Sequence, residues 1–162
     1  MVRFVLTILV VLIGQVAAAD EQAQPSGSEN IATAERFMET VVTDPSEAKS
    51  LTHEEFEFMF MGRTRISNVP YDRTSYFDTW LPEVVAKLVL GLRRLEVVDA
   101  IGDAEGVALI AEGDADGVNG LYDNRYVFIF KFKGGKIASL REYNSDLLVA
   151  TRLYKQKLVA DD

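Results

Sequence analysis

Two consecutive glycines, Gly134-Gly135, separate two stretches that alternate between apolar and polar residues, and no other feature constrains the fold as much. Glycine supplies the positive φ that a two-residue hairpin loop needs, so Tyr122 to Lys133 and Lys136 to Asn144 are expected to pair antiparallel. Such a loop also sets a register. Lys133 faces Lys136, and one face then collects Phe132 with Ile137, Phe130 with Ser139, Phe128 with Arg141, Tyr126 with Tyr143 and Asn124 with Ser145. The other face collects Lys131 with Ala138, Ile129 with Leu140, Val127 with Glu142 and Arg125 with Asn144. The first face grades from phenylalanine near the turn to tyrosine, asparagine and arginine at the far end. An apolar floor with a polar mouth is what a small-molecule cavity requires. The alternative is a stacked Tyr126–Tyr143 pair with both hydroxyls at the rim. The second face is too apolar to be a free solvent face, and Val127, Ile129 and Leu140 are expected to meet a second copy in a homodimer.

The rest of the chain supplies layers around this hairpin. Ile31, Ala34, Phe37, Met38, Val41 and Val42 recur at helical spacing, and Thr43-Asp44-Pro45 ends that helix. A short second helix follows, with Ser46 as its cap. From His53 to Met61 the period is two, with Phe56, Phe58 and Phe60 on one face of a half-buried strand. Ser75 to Leu92 reads as a helix with Val84, Val85, Leu88 and Leu92 on its buried side. Leu95 to Ile101 and Val107 to Glu112 are strands, and Asp146 to Leu158 is a terminal helix capped by Ser145. Helices early and a strand meander late point to α+β with one curved antiparallel sheet wrapped by about three helices.

The N-terminus reads differently. Arg3 precedes an apolar run from Phe4 to Ile13, and Ala17 and Ala19 match the small-residue pattern of a cleavage site. The run is about ten residues, short of the ~20 that span a bilayer. Residues 1–19 are therefore expected to be a signal peptide and 20–30 a flexible leader, with the α+β domain over 31–158; the alternative is an uncleaved membrane anchor. The mature protein is expected outside the cytoplasm, secreted or periplasmic, and free of the membrane.

Composition removes several function classes. The 17 basic and 25 acidic residues give a net charge of −8 with no basic run, which argues against nucleic acid. The cysteine count is zero, so disulfides, thiolate catalysis and Cys-ligated zinc are excluded. Asp114, Asp116, Gly117 and Asn119 match a calcium loop in composition alone, without the spacing or the terminal Glu. No metal and no cofactor are expected.

The segments Gly106 to Glu112, Gly120 to Phe128, Gly135-Lys136-Ile137 and Arg141-Glu142-Tyr143 together resemble the SnoaL-like group of the nuclear-transport-factor-like superfamily, alongside ketosteroid isomerases, polyketide cyclases, scytalone dehydratase and limonene epoxide hydrolase. The resemblance implies a cone-shaped fold in which helices close over a bent sheet, and a cavity that holds a small apolar ligand. It also implies a carboxylate base in active members. SnoaL-like sequences often place an Asp two residues after the tyrosine of the Glu-Tyr pair; here Ser145 stands there and Asp146 follows it.

Glu112 is then the candidate base, if it points inward, or an exposed strand-end carboxylate if it does not. Tyr126 and Tyr143 would donate to a carbonyl oxygen. Asn124 and Arg141 would line the mouth, and Phe56, Phe58, Phe60, Phe128 and Phe130 the walls. His53 reads as a surface residue at a strand start, and Trp80 as core in the covering helix. Three functions remain open: an isomerase, cyclase or dehydratase working by acid–base chemistry on a hydrophobic carbonyl compound, a non-catalytic binder of a small apolar ligand, or a dimeric interaction module with a filled core.

Overall fold

The computed structural model describes residues 26–159. The signal-peptide reading lies outside the described residues. Helix α1 spans Gly27–Thr40, starting before Ile31 because Ser26 and Glu29 form a capping box. Helix α2, Pro45–Ser50, is capped by Asp44 rather than Ser46: its carboxylate accepts the Glu47 N–H at 3.1 Å, and Pro45 occupies the first turn.

Six strands follow: β1 Thr52–Met61, β2 Pro70–Asp72, β3 Val89–Gly102, β4 Gly106–Gly117, β5 Gly120–Lys133 and β6 Lys136–Tyr143. They form one sheet in the order β2-β1-β6-β5-β4-β3. The pairing is antiparallel except between β1 and β6, which run parallel, so the sheet is mixed. The α+β architecture is the expected one. Register shifts at three points along β3 bend the far edge of the sheet.

Between β2 and β3 runs a helical segment, 73–88, whose middle, Tyr76–Val85, is π-helical. Pro82 has no N–H for the α-helical ladder, and the segment instead carries the wider spacing, with the Ala86 N–H donating to the Leu81 carbonyl. The helix stops at Leu88 rather than Leu92, because Val89 already pairs with Gly117 of β4. A second helical segment, 146–153, is also π-helical from Val149 to Leu153. Among the described residues, no helix is long and apolar enough to cross a membrane.

The core lies between the helices and the inner face of the sheet. Alternation assigns Phe56, Phe58 and Phe60 of β1, Leu109 and Ala111 of β4, and Phe128 and Phe130 of β5 to that face, and all are buried. Phe37 of α1 meets Phe130 edge-on at 6.0 Å between ring centroids. Burying a side chain of this size contributes about 1.5–3 kcal/mol.

Candidate functional site

The hairpin register holds for only two pairs. Lys133 faces Lys136 and Phe132 faces Ile137, but Lys131 then faces Ser139, leaving Ala138 without a partner. This bulge advances β6 by one residue, and a one-residue slip sends every later side chain to the opposite face. Leu140 and Glu142 turn inward, opposite Phe130 and Phe128; Arg141 and Tyr143 turn outward, opposite Ile129 and Val127. The parallel ladder with β1 agrees, placing Phe58 beside Leu140 and Phe60 beside Glu142.

Three of the anticipated site residues therefore lie on the outer face. Tyr143 is 41% exposed and not beside Tyr126. Arg141 pairs with Glu57 of β1. Glu112 occupies an outward position of β4, where Arg125 reaches it at 3.0 Å and Arg94 at 3.4 Å. The Arg125 guanidinium, with Arg94 beyond it, holds the Glu112 carboxyl below the usual range, the reverse of what a base at neutral pH needs. Leu140, assigned by the sequence register to the outer face, is core. Asp114 and Asp116 both pair with Arg93, so they are a charge ladder rather than a calcium loop.

The inner face opens into a cavity of about 610 Å³ between the sheet, α1 and the two π-helical segments. Phe60, Tyr126 and Phe128 line it. Phe56, Phe58 and Phe130 sit behind them as packed core, and Asn124 lies under the wall, 2% exposed. Trp80 lines the cavity, its ring 4.8 Å from Phe58 and 6.0 Å from Phe60. His53 is spent on its own strand start, with Nδ1 accepting the Glu55 N–H at 3.1 Å.

Among the described residues, Glu142 is the one charged side chain in the cavity wall. Its Oε1 accepts from Asn144 Nδ2 at 3.0 Å, and no other side-chain donor reaches the carboxylate among the described residues. Burial without a cationic partner pushes its pKa up to about 7, with the Asn144 amide pulling the other way. Beside it stand two tyrosines of β5. The Tyr122 hydroxyl accepts from Asn124 Nδ2 at 2.9 Å and from Asn144 Nδ2 at 3.4 Å. Both amides spend donors on its oxygen, which leaves the Tyr122 proton free to be given. Burial and the Glu142 charge push Tyr122 up to about 12, and burial together with Tyr122 raises Tyr126 as well. The Tyr126 ring stacks on Phe128 at 5.4 Å and lies over Gly113, where a Cβ would come within 2.8 Å of it.

A carboxylate poised near neutrality beside hydroxyl donors, in an apolar enclosure, can move a proton on a bound molecule. Asp146 does not take part: its Oδ2 accepts the Arg63 N–H at 2.9 Å, on the outer side of the strand end. Glu142, Tyr122 and Asn144 escaped the sequence reading. One signal was present, since Ile137 and Leu140 are both strongly apolar yet an odd number of residues apart, which a regular strand cannot bury on one face.

No family model matches the chain, and no curated protein matches it. Solved structures do. A putative SnoaL-like polyketide cyclase from Jannaschia sp. CCS1 superposes with TM-score 0.65 at 16% identity, covering 85% of this chain and 99% of its own. A putative isomerase from Bacillus subtilis gives 0.67 at 18% identity over 80% and 95% of the two chains. An NTF2-like protein from Burkholderia xenovorans LB400 gives 0.64 at 16% identity over 79% and 98%. At these identities the likeness is one of fold, and the chain has the nuclear-transport-factor-like fold that SnoaL-like polyketide cyclases share.

Proposed function

We propose that the protein holds a small, largely apolar molecule in this cavity and moves a proton on it through Glu142, in chemistry of the isomerase, cyclase or dehydratase type. The observation that carries the reading is a carboxylate, the one charged group among the described residues that line this cavity of about 610 Å³. Glu142 takes a proton from the carbon next to a carbonyl or imine, and the Tyr122 hydroxyl donates to the atom where negative charge gathers. The fold is shared by proteins described as a polyketide cyclase and an isomerase, which adds support without naming a reaction. Export after cleavage near Asp20 and a homodimer through the outer face around Val127 and Ile129 belong to the same proposal.

The test is deuterium exchange in D2O, followed by NMR, on β-tetralone and phenacylamine. Acceleration by the wild type and its loss in Glu142→Gln are expected. Binding of these compounds without accelerated exchange would assign the cavity to carriage rather than catalysis.

A further inference from the structure

The Glu142 carboxylate is an unfinished ion pair. A charge withdrawn from water is costly unless paired and hydrogen-bonded, and here one amide, Asn144 Nδ2, meets one of its two oxygens. Among the described residues, none that lines the cavity is a lysine, arginine or histidine. The β6 cation nearest in sequence, Arg141, points to the other face and is taken by Glu57. The titratable groups that face Glu142 are Tyr76 from the 73–88 helix and Tyr122 and Tyr126 from β5, all neutral phenols whose acidity its charge suppresses. The remaining wall includes the ring faces of Phe60, Trp80 and Phe128. Aromatic faces attract cations through their quadrupoles, most strongly when water is excluded.

Carboxylate and aromatic rings together describe one kind of guest. We infer that the cavity is a site for lipophilic amines: an apolar body carrying one protonated nitrogen, which donates to Glu142 and lies against the aromatic wall. The inference rests on the reading of this cavity as the ligand site and narrows it by charge. A ligand carboxylate meets a carboxylate and no compensating cation, so acids of the same shape are rejected. A neutral molecule of the same shape lies between the two.

Trp80 is the single tryptophan of the chain and stands in the cavity wall, so intrinsic fluorescence reports occupancy. Phenylbutylamine, phenylbutanol and phenylbutanoate share one apolar body and differ in charge. At a pH of about 8, the amine is expected to bind about tenfold or more tightly than the alcohol, as a charge-assisted hydrogen bond implies. The acid is expected to bind more weakly than the alcohol. Affinity for the amine should fall between about pH 8 and pH 6, as Glu142 takes up its proton. In Glu142→Gln the preference for the amine over the alcohol should be lost, with far-UV circular dichroism showing that the variant is folded. Equal affinity for amine and alcohol in the wild type would overturn the inference and leave the cavity reading intact. So would an amine preference that survives Glu142→Gln, since the source would then be the acidic surface at large. Failure of all three to bind would remove the cavity reading, and this inference with it.

Discussion

Glu112 and Glu142 are the same residue on opposite faces of one sheet, and the sheet makes them chemically different. Outside, Glu112 is held by Arg125 and Arg94 in a ladder of alternating charges that also includes Arg93, Asp114 and Asp116. Solvent screens these pairs, and their geometry costs side-chain freedom, so they contribute little to stability. Inside, Glu142 has an amide for company and aromatic rings for walls. One carboxyl is pulled below its usual range and the other pushed to about 7. Function follows the second: a carboxylate already paired within the protein is spent, whereas one left unpaired is open to a guest, as a base toward a carbon acid or as the partner of a cation.

The sharpest way to break this comparison is to neutralise each glutamate in turn. Glu142→Gln should lower proton exchange by about 10²–10⁴, the usual contribution of a positioned acid or base. Glu112→Gln should leave it unchanged. Equal losses in the NMR assay would mean that the faces do not differ as described.

Packing separates the faces next. Phe130→Ala should cost about 3–5 kcal/mol in denaturant unfolding, because Phe130 is fully buried against Phe37. Val127→Ala, on the outer face at 37% exposure, should stay within about 1 kcal/mol.

The two carboxyls should also give stability opposite dependences on pH. With its folded pKa raised, Glu142 binds its proton more tightly folded than unfolded, so stability from this group falls as pH rises from about 4.5 to about 7. Glu142→Gln should therefore be more stable than wild type above pH 7, by on the order of 3 kcal/mol, and gain nothing below about pH 4. Glu112 and Asp114 are depressed, so their contribution is present above the normal carboxyl range and is lost as pH falls. Calorimetry at several pH values reads both trends.

A smaller effect tests the internal donor. Asn144→Leu should raise the Glu142 midpoint by about one pH unit, the worth of one hydrogen bond, measurable by carboxyl-labelled NMR. Smallest of all, Arg125→Ala should leave the melting midpoint essentially unmoved, since its side chain is 81% exposed. A large drop there would show the outer ladder to be structural.

Much of this architecture is written locally. The β1 phenylalanines announce their strand and its buried face by period alone, and the glycine pair announces the β5–β6 turn. Phe128 and Tyr126 follow from that turn because β5 is regular. The site itself was not legible. Glu142 depends on a bulge at Ala138, and a bulge is decided by competition between neighbours: here the ladder must satisfy β1 and β5 while burying both Ile137 and Leu140. The parallel pairing of β6 with β1 joins segments far apart in sequence, which no local pattern encodes. The early stop of the 73–88 helix likewise reflects a partner, β4, outbidding helical spacing for Val89.

The bulge at Ala138 has a hereditary consequence. Loss of that single codon would straighten β6 without exchanging its faces: Ser139 would follow Ile137 directly, and Leu140 and Glu142 would still stand inward, opposite Phe130 and Phe128. The extra residue is a spacer that a lineage can gain or lose at this place while the enclosure keeps its carboxylate. A strand that keeps the residue but pairs it regularly would instead carry Arg141 inward and Glu142 outward. Relatives that lack the residue, aligned without a gap at Ala138, would be compared across the wrong faces.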